Sequence, residues 1–220
     1  MKDFSAKIVQ HSLPPHISEE WLQELRERAA AERKAELLTR KILGKEDPED
    51  LNSRFIDHLM NFPKIDCDDS IFARHPHRGE PEWYLADTNV ISETRRLDRA
   101  NKGVRAFFRQ ARLDENDIHL SVVTVGELRR GVERLRRRGD AVQAGTVEAW
   151  LKDVLCEYDG KILPVNKAIG ELWGSLRAPH PEPAIDKLIA ATAMSHGLTV
   201  VTRNVRDFEK TGVKTIDPFD

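Results

Sequence analysis

The feature that most constrains the fold is a regular alternation of short apolar runs and helical spacing after residue 83. "WYLA", "IHLS", "KILPV", "LTVVT" and "VKTID" each read as a strand of a few residues, the fourth rich in β-branched side chains. Between them, Val125, Leu128, Val132 and Leu135 recur at helical intervals, as do Val147, Trp150, Leu151, Val154 and Leu155. Ile169, Leu172, Trp173 and Leu176 repeat the pattern, followed by Ile185, Leu188, Ile189, Thr192 and Ala193. Strands joined in series by helices predict an α/β fold with a mostly parallel sheet covered on both faces. Ser121 and Asn166 stand where N-caps belong, and Gly160 and Gly197 follow periodic runs as helix-ending glycines do.

An open parallel sheet binds its ligands beyond the carboxyl ends of its strands, where loops and helix N-termini converge. The pattern sends a set of acids to that edge. Asp87 ends the first of these strands, and Glu127 lies in the opening turns of the helix after "IHLS". Asp186 opens the helix "PAIDKLIAATAMSHG", and Asn204 and Asp207 follow "LTVVT". Carboxylates gathered at one point repel one another and raise one another's pKa unless a cation joins them. An all-oxygen set selects Mg²⁺ or Mn²⁺ over Zn²⁺, and such an ion suits phosphodiester hydrolysis. Taken singly, Glu127 and Asp186 also suit the positive end of a helix, and Asp207 suits a turn. An acid ending a buried strand, as Asp87 does, is costly without something to bind it.

Residues 1–83 differ in kind. "SAKIVQHSLP" reads as a short strand and "SEEWLQELRERAAAERKAELLTRKILGKED" as a helix, N-capped by Ser18 and ended by Gly44. "EDLNSRFIDHLMNF" reads as a second, shorter helix, and the chain then turns irregular through "PKIDCDDSIFARHPHRGEPEW". So little apolar surface cannot close its own core, and these residues need a partner surface.

Composition narrows the function classes. The chain has 220 residues and a net charge of -2, so it is no bulk polycation, and nucleic-acid contacts must come from local basic faces. Arg95, Arg129 and Arg130, in "ETRRLDRANKGVRAFFRQAR" and "ELRRGVERLRRRGD", are the candidates for RNA phosphates. Cys67 and Cys156 lie in unlike contexts and suggest neither a disulfide nor a metal site; His75 and His77 lack a third ligand. No apolar run approaches the ~18 residues that span a bilayer, and "MKDFSAKIVQ" lacks a signal-like apolar stretch, so a soluble cytoplasmic protein is expected.

"YLADTNVISE", "SVVTVGELRRGVERL", "ILPVN", "ELWGSLRA", "AIDKLIAATAMSHGLTVVTRNVRDFEKTGV" and "IDPF" together resemble a PIN-domain toxin of the VapC type over residues 84–220. The resemblance implies a Mg²⁺-dependent endoribonuclease that cuts structured RNA such as tRNA or rRNA and usually pairs as a homodimer. Its metal-binding acids correspond to Asp87, Glu127 and Asp186, with Thr88 and Asn89 as auxiliary residues. Asn204 stands where some members carry Asp, and Asp207 is the nearest acid able to serve as the fourth catalytic group.

Residues 1–83 resemble an antitoxin joined in frame. By that likeness residues 1–50 form an antitoxin-like unit, either a ribbon-helix-helix that binds operator DNA or a helix that packs on the toxin. Residues 51–83 would then wrap the toxin and lay an inhibitory tail across its groove. A guanidinium matches carboxylates well enough to stand in for the cation, which makes Arg74 and Arg78 the inhibitory candidates. From Arg78 the chain reaches at most ~18 Å before Tyr84, and the following strand is ~13 Å long. Arg78 therefore needs an immediate reversal to reach its own site, and inhibition is expected from Arg74 in cis or from either Arg in trans. The competing function is a catalytically silent, DNA-binding autorepressor of a toxin-antitoxin operon.

Overall fold

The computed structural model describes residues 8–42 and 83–219. The strands are β1 (Val9–Gln10), β2 (Tyr84–Ala86), β3 (Ile118–Ser121), β4 (Ile162–Leu163), β5 (Thr199–Val201) and β6 (Lys214–Ile216). The helices are α1 (Glu19–Ile42), α2 (Thr88–Thr94), α3 (Lys102–Leu113), α4 (Val122–Arg137) and α5 (Ala141–Glu157), then α6 (Lys167–Arg177), α7 (Ala184–His196) and α8 (Val205–Phe208). The sheet runs β1-β6-β5-β2-β3-β4. β2 to β6 are parallel and β1 is antiparallel on the β6 edge, so the sheet is mixed.

Alternation along the strands divides the interior in two. Leu85 and Val200 face a layer built from α1, α6, α7 and α8, with Leu22, Leu25, Ile169, Leu172, Ile189 and Phe208 among its buried members. Tyr84, Ala86 and Val201 face the layer of α2 to α5, with Val90, Ile91, Leu128, Val132, Leu151 and Val154. Two-sided burial is why these strands read as continuous apolar runs.

The caps hold the helices where the sequence places them. Ser121 Oγ accepts from Val123 N at 3.2 Å, and Asn166 Oδ1 accepts from Ile169 N at 3.0 Å. Gly197 ends α7 with φ 68, a left-handed turn that glycine adopts without penalty. Gly160, at φ 82, lies in the turn between α5 and β4 rather than at the cap, which is Tyr158.

Residues 8–28 lie against the rest of the chain. Val9 pairs with Thr215 and Gln10 with Lys214, which puts β1 on the sheet edge. Ser18 Oγ accepts from Trp21 N at 3.1 Å and starts α1. Ile17, Leu22 and Leu25 are buried against α6 and α7, an apolar gain of about 5–9 kcal/mol before the entropy of ordering is charged. His16 Nε2 meets Ser175 O at 2.7 Å, and Arg26 Nε donates to Met194 O at 3.0 Å. A Cβ on Gly212 (φ +81) would stand 2.8 Å from Leu13 Cα, so the close approach of these segments requires glycine. α1 is one continuous helix, without the turn through "AAAERKAELL" that a ribbon-helix-helix unit needs. The helix expected in 49–62, the stop at Gly44, Cys67, Arg74, His75, His77 and Arg78 lie outside the described residues.

Candidate active site at the carboxyl edge of the sheet

β2, β3 and β5 are parallel, so their last residues, Ala86, Ser121 and Val201, lie along one edge. α2 and α4 begin immediately beyond it. α7 runs back against the sheet into β5, which returns its N-terminus and Asp186 to the same edge. α8, carrying Asp207, starts four residues after β5 ends. Four elements distant in sequence thus present one acid each.

Asp87 is the most deeply buried of these groups. It is 4% exposed and caps α2: Oδ1 accepts from Thr88 N at 2.6 Å, and Oδ2 accepts from Asn89 Nδ2 and Thr202 Oγ1, both at 2.7 Å. These three bonds favour the carboxylate, but burial outweighs them, and with the nearby Asp207 it pushes the pKa of Asp87 up. Thr202 is the hub of the cluster. Its Oγ1 also accepts from Asn89 Nδ2 at 3.1 Å and from Asn204 N at 3.0 Å, while Asn89 Oδ1 accepts from Arg203 N at 3.1 Å. Sequence reasoning misses Thr202; its one signal is a hydroxyl directly after a buried strand ends.

Asp186, half-buried in the first turn of α7, has its pKa pushed up to about 6. Burial is the largest cause, followed by the negative charges of Asp87, Asp207 and Glu127. The four acids are therefore close enough to act on a single proton. Next to Asp186, the buried Lys187 bonds through Nζ to His180 O and, at 3.1 Å, to Glu182 O. Burial pulls its pKa down, and its bonds tie the loop before α7 to the helix that carries Asp186.

The remaining candidates divide. Glu127 turns to Arg130, bonded through both carboxylate oxygens at 2.6 and 2.8 Å. Asn204 is exposed and caps α8 without a side-chain bond, and Asp207 is exposed. Thr88 Oγ1 is buried with no hydrogen-bond partner, beside the Asp87 carboxylate. Arg129 reaches across to Glu148 of α5 at 2.8 Å, and Arg95 lies over the Trp150 ring at 5.9 Å.

The donor set fits a hard divalent cation: it is all oxygen, it carries excess negative charge, and it includes an orphaned hydroxyl. With the side chains as they stand, no three acids, histidines or cysteines among the described residues are close enough to grip one ion. The Glu127–Arg130 pair is one reason, since it turns that carboxylate onto a cation of its own helix.

Comparison with known proteins follows the same boundaries. Residues 84–214 match the family described as PIN domain. The chain is 34% identical over 142 residues to Toxin FitB of Neisseria gonorrhoeae, covering 61% of this chain and 97% of that protein. It is 32% identical over 144 residues to a VapC ribonuclease of Sinorhizobium fredii, covering 62% and 97%. The crystal structure of FitAcB from Neisseria gonorrhoeae matches with a TM-score of 0.53 at 33% identity, over 62% of this chain and 98% of that one.

Proposed function

Because the chain belongs to the PIN-domain family, we propose that its acidic rim is the active site of a metal-dependent endoribonuclease. In this reading it is the toxin half of a toxin-antitoxin pair, joined to its own inhibitory segment. One observation carries the proposal: burial, with the negative charges of Asp87, Asp207 and Glu127 from three other elements, raises Asp186 to about 6 at the edge where a parallel sheet binds ligands. The names of its relatives, a toxin and a ribonuclease, support the same reading.

Asp87, Asp186 and Asp207 would hold Mg²⁺ or Mn²⁺, joined by Glu127 once it leaves Arg130. When bound, such an ion would supply polarisation of a phosphate oxygen and a more acidic water. The protein's own contribution is order and charge. Thr202 and Asn89 lock the Asp87 carboxylate in one orientation, so no reorganisation is needed as charge builds up on the phosphate. Asp186 is protonated part of the time near neutrality and must release that proton before it serves as a ligand.

The chain divides, in this proposal, into an antitoxin-like segment (1–50), a wrapping helix and inhibitory tail (51–83) and the nuclease (84–220), with RNA of the tRNA or rRNA class as substrate and a homodimer as assembly. Residues 8–28 then have a second role as an outer layer of the nuclease itself. Operator DNA binding through residues 1–50 would require β1 to leave β6.

The test uses the full chain, because deleting residues 1–83 would also strip Ile17, Leu22 and Leu25 from the core. RNA is incubated with and without Mg²⁺ using the parent, Asp87→Asn, and the double variant Arg74→Ala with Arg78→Ala. The proposal expects Mg²⁺-dependent cutting that rises in the double variant and disappears in Asp87→Asn. RNA left intact by parent and double variant alike, or cutting that survives Asp87→Asn, rejects it.

A further inference from the structure

The basic residues of α4 fall into two sets. Arg129, Arg130 and Arg136 are each bonded to carboxylates: Arg129 to Glu148, Arg130 to Glu127, and Arg136 to both Glu133 and Glu148. Arg134 and Arg138 have no carboxylate partner among the described residues, and with Arg95 they line a concavity of about 320 Å³. Each of the three alone complements the negative end of its own helix. That does not explain why three guanidiniums converge on one open hollow from which carboxylates are missing, an arrangement whose mutual repulsion an anion relieves.

The hollow is aligned with the acids. Glu127, Gly131, Arg134 and Arg138 follow one another at intervals of four, three and four, so they form one stripe along α4. Along that stripe Arg134 lies about 10 Å and Arg138 about 16 Å from Glu127, at ~1.5 Å per residue. α2 leaves the same sheet edge and packs against α4, and it carries Arg95 about 12 Å from Asp87 on the same scale. Trp150, bonded through Nε1 to Thr94 Oγ1 at 3.3 Å, lies beneath Arg95. Stacking occupies the face of a guanidinium and leaves its N–H edge for an anion. The surface at Gly131 is open, since a Cβ there would meet nothing within 4 Å.

We propose that this concavity is a second binding site for the RNA strand, gripping backbone phosphates about three to five nucleotides from the bond held at the acids, at ~3.4 Å per stacked nucleotide. The proposal rests on the nuclease reading for its ligand, but a binding assay tests it separately. Full-length Asp87→Asn protein is titrated with oligouridylates of 12 and 4 nucleotides over a range of salt, with and without Arg134→Gln plus Arg138→Gln. Lys167→Gln plus Lys214→Gln, exposed on α6 and at the start of β6, is the charge-matched control, and circular dichroism melting checks the fold.

The double variant is expected to bind the 12-mer about tenfold more weakly. Its salt slope should fall by about 1.4, at ~0.7 for each lost phosphate contact. The 4-mer and the control should be unchanged. Equal affinity and slope for the 12-mer, equal losses for both lengths, or tighter binding of duplex DNA through the same arginines would overturn it. If Asp87-intact protein cuts no RNA while the length-dependent loss persists, the nuclease reading fails and the concavity stands.

Discussion

Replacing Asp186 with Asn should stabilise the metal-free protein. The Asp186 pKa is raised from 3.8 to about 6, so the folded state holds a proton that the unfolded chain releases, and folding is favoured by acid. The destabilisation is therefore complete above pH ~7 and is relieved as pH falls through 6 toward 4. The rise corresponds to about 3 kcal/mol as an upper figure. Asp186 is only half-buried, and Asn loses a favourable charge at the start of α7, so about 1–2 kcal/mol is expected at neutral pH. For a domain of this size that is about 2–8 °C in melting temperature. Calorimetric melting in chelator at pH 7.5 and pH 5.0 reads it: a gain at 7.5 that shrinks at 5.0. The difference between variant and parent is the measurement, because His11 acts with the opposite sign. Burial lowers its pKa, so its contribution is lost as the pH falls below its ordinary value of 6.5. A variant less stable than the parent at pH 7.5, or one equally stabilised at both pH values, would contradict the picture of crowded acids.

Thr202→Val removes the hydroxyl that donates to Asp87 and accepts from Asn89 and Asn204, at similar volume. It should cost about 1–3 kcal/mol in urea unfolding, raise the Asp87 pKa further and weaken Mn²⁺ binding. Gly212→Ala sets a Cβ against Leu13 in a left-handed backbone, so hydrogen exchange should rise in residues 8–28 while α4 and α5 stay protected. Gly145→Ala meets open space within α5, outside the proposed sites, and should add up to about 1 kcal/mol in urea unfolding without loss of RNA binding.

The PIN domain was legible because its strands are buried on both sides and its helices on one, which writes two clear periods into the chain. Asp87 was legible because an acid ending such a run demands a partner. α2 and α8 were not, being only seven and four residues long, and α3 was read for its arginines although Val104, Phe107 and Ala111 recur at helical spacing. Arg129 and Arg130 read as free cations, because their partners, Glu148 and Glu127, are fixed by helix packing and by side-chain choice that spacing does not encode. The seat of β1 on β6 was equally hidden: a two-residue strand says nothing about which edge it joins, and the decisive Gly212–Leu13 approach joins opposite ends of the chain.

The most direct test is calorimetric titration of Mn²⁺ into the chain at pH 6 and pH 8, in buffers of differing ionisation enthalpy. Saturable binding is predicted, with about half a proton released per ion at pH 6, where Asp186 is half-protonated, and almost none at pH 8, all of it lost in Asp87→Asn with Asp186→Asn. Absence of saturable binding, or binding that survives the double substitution, would contradict the claim that these acids are gathered to hold an ion.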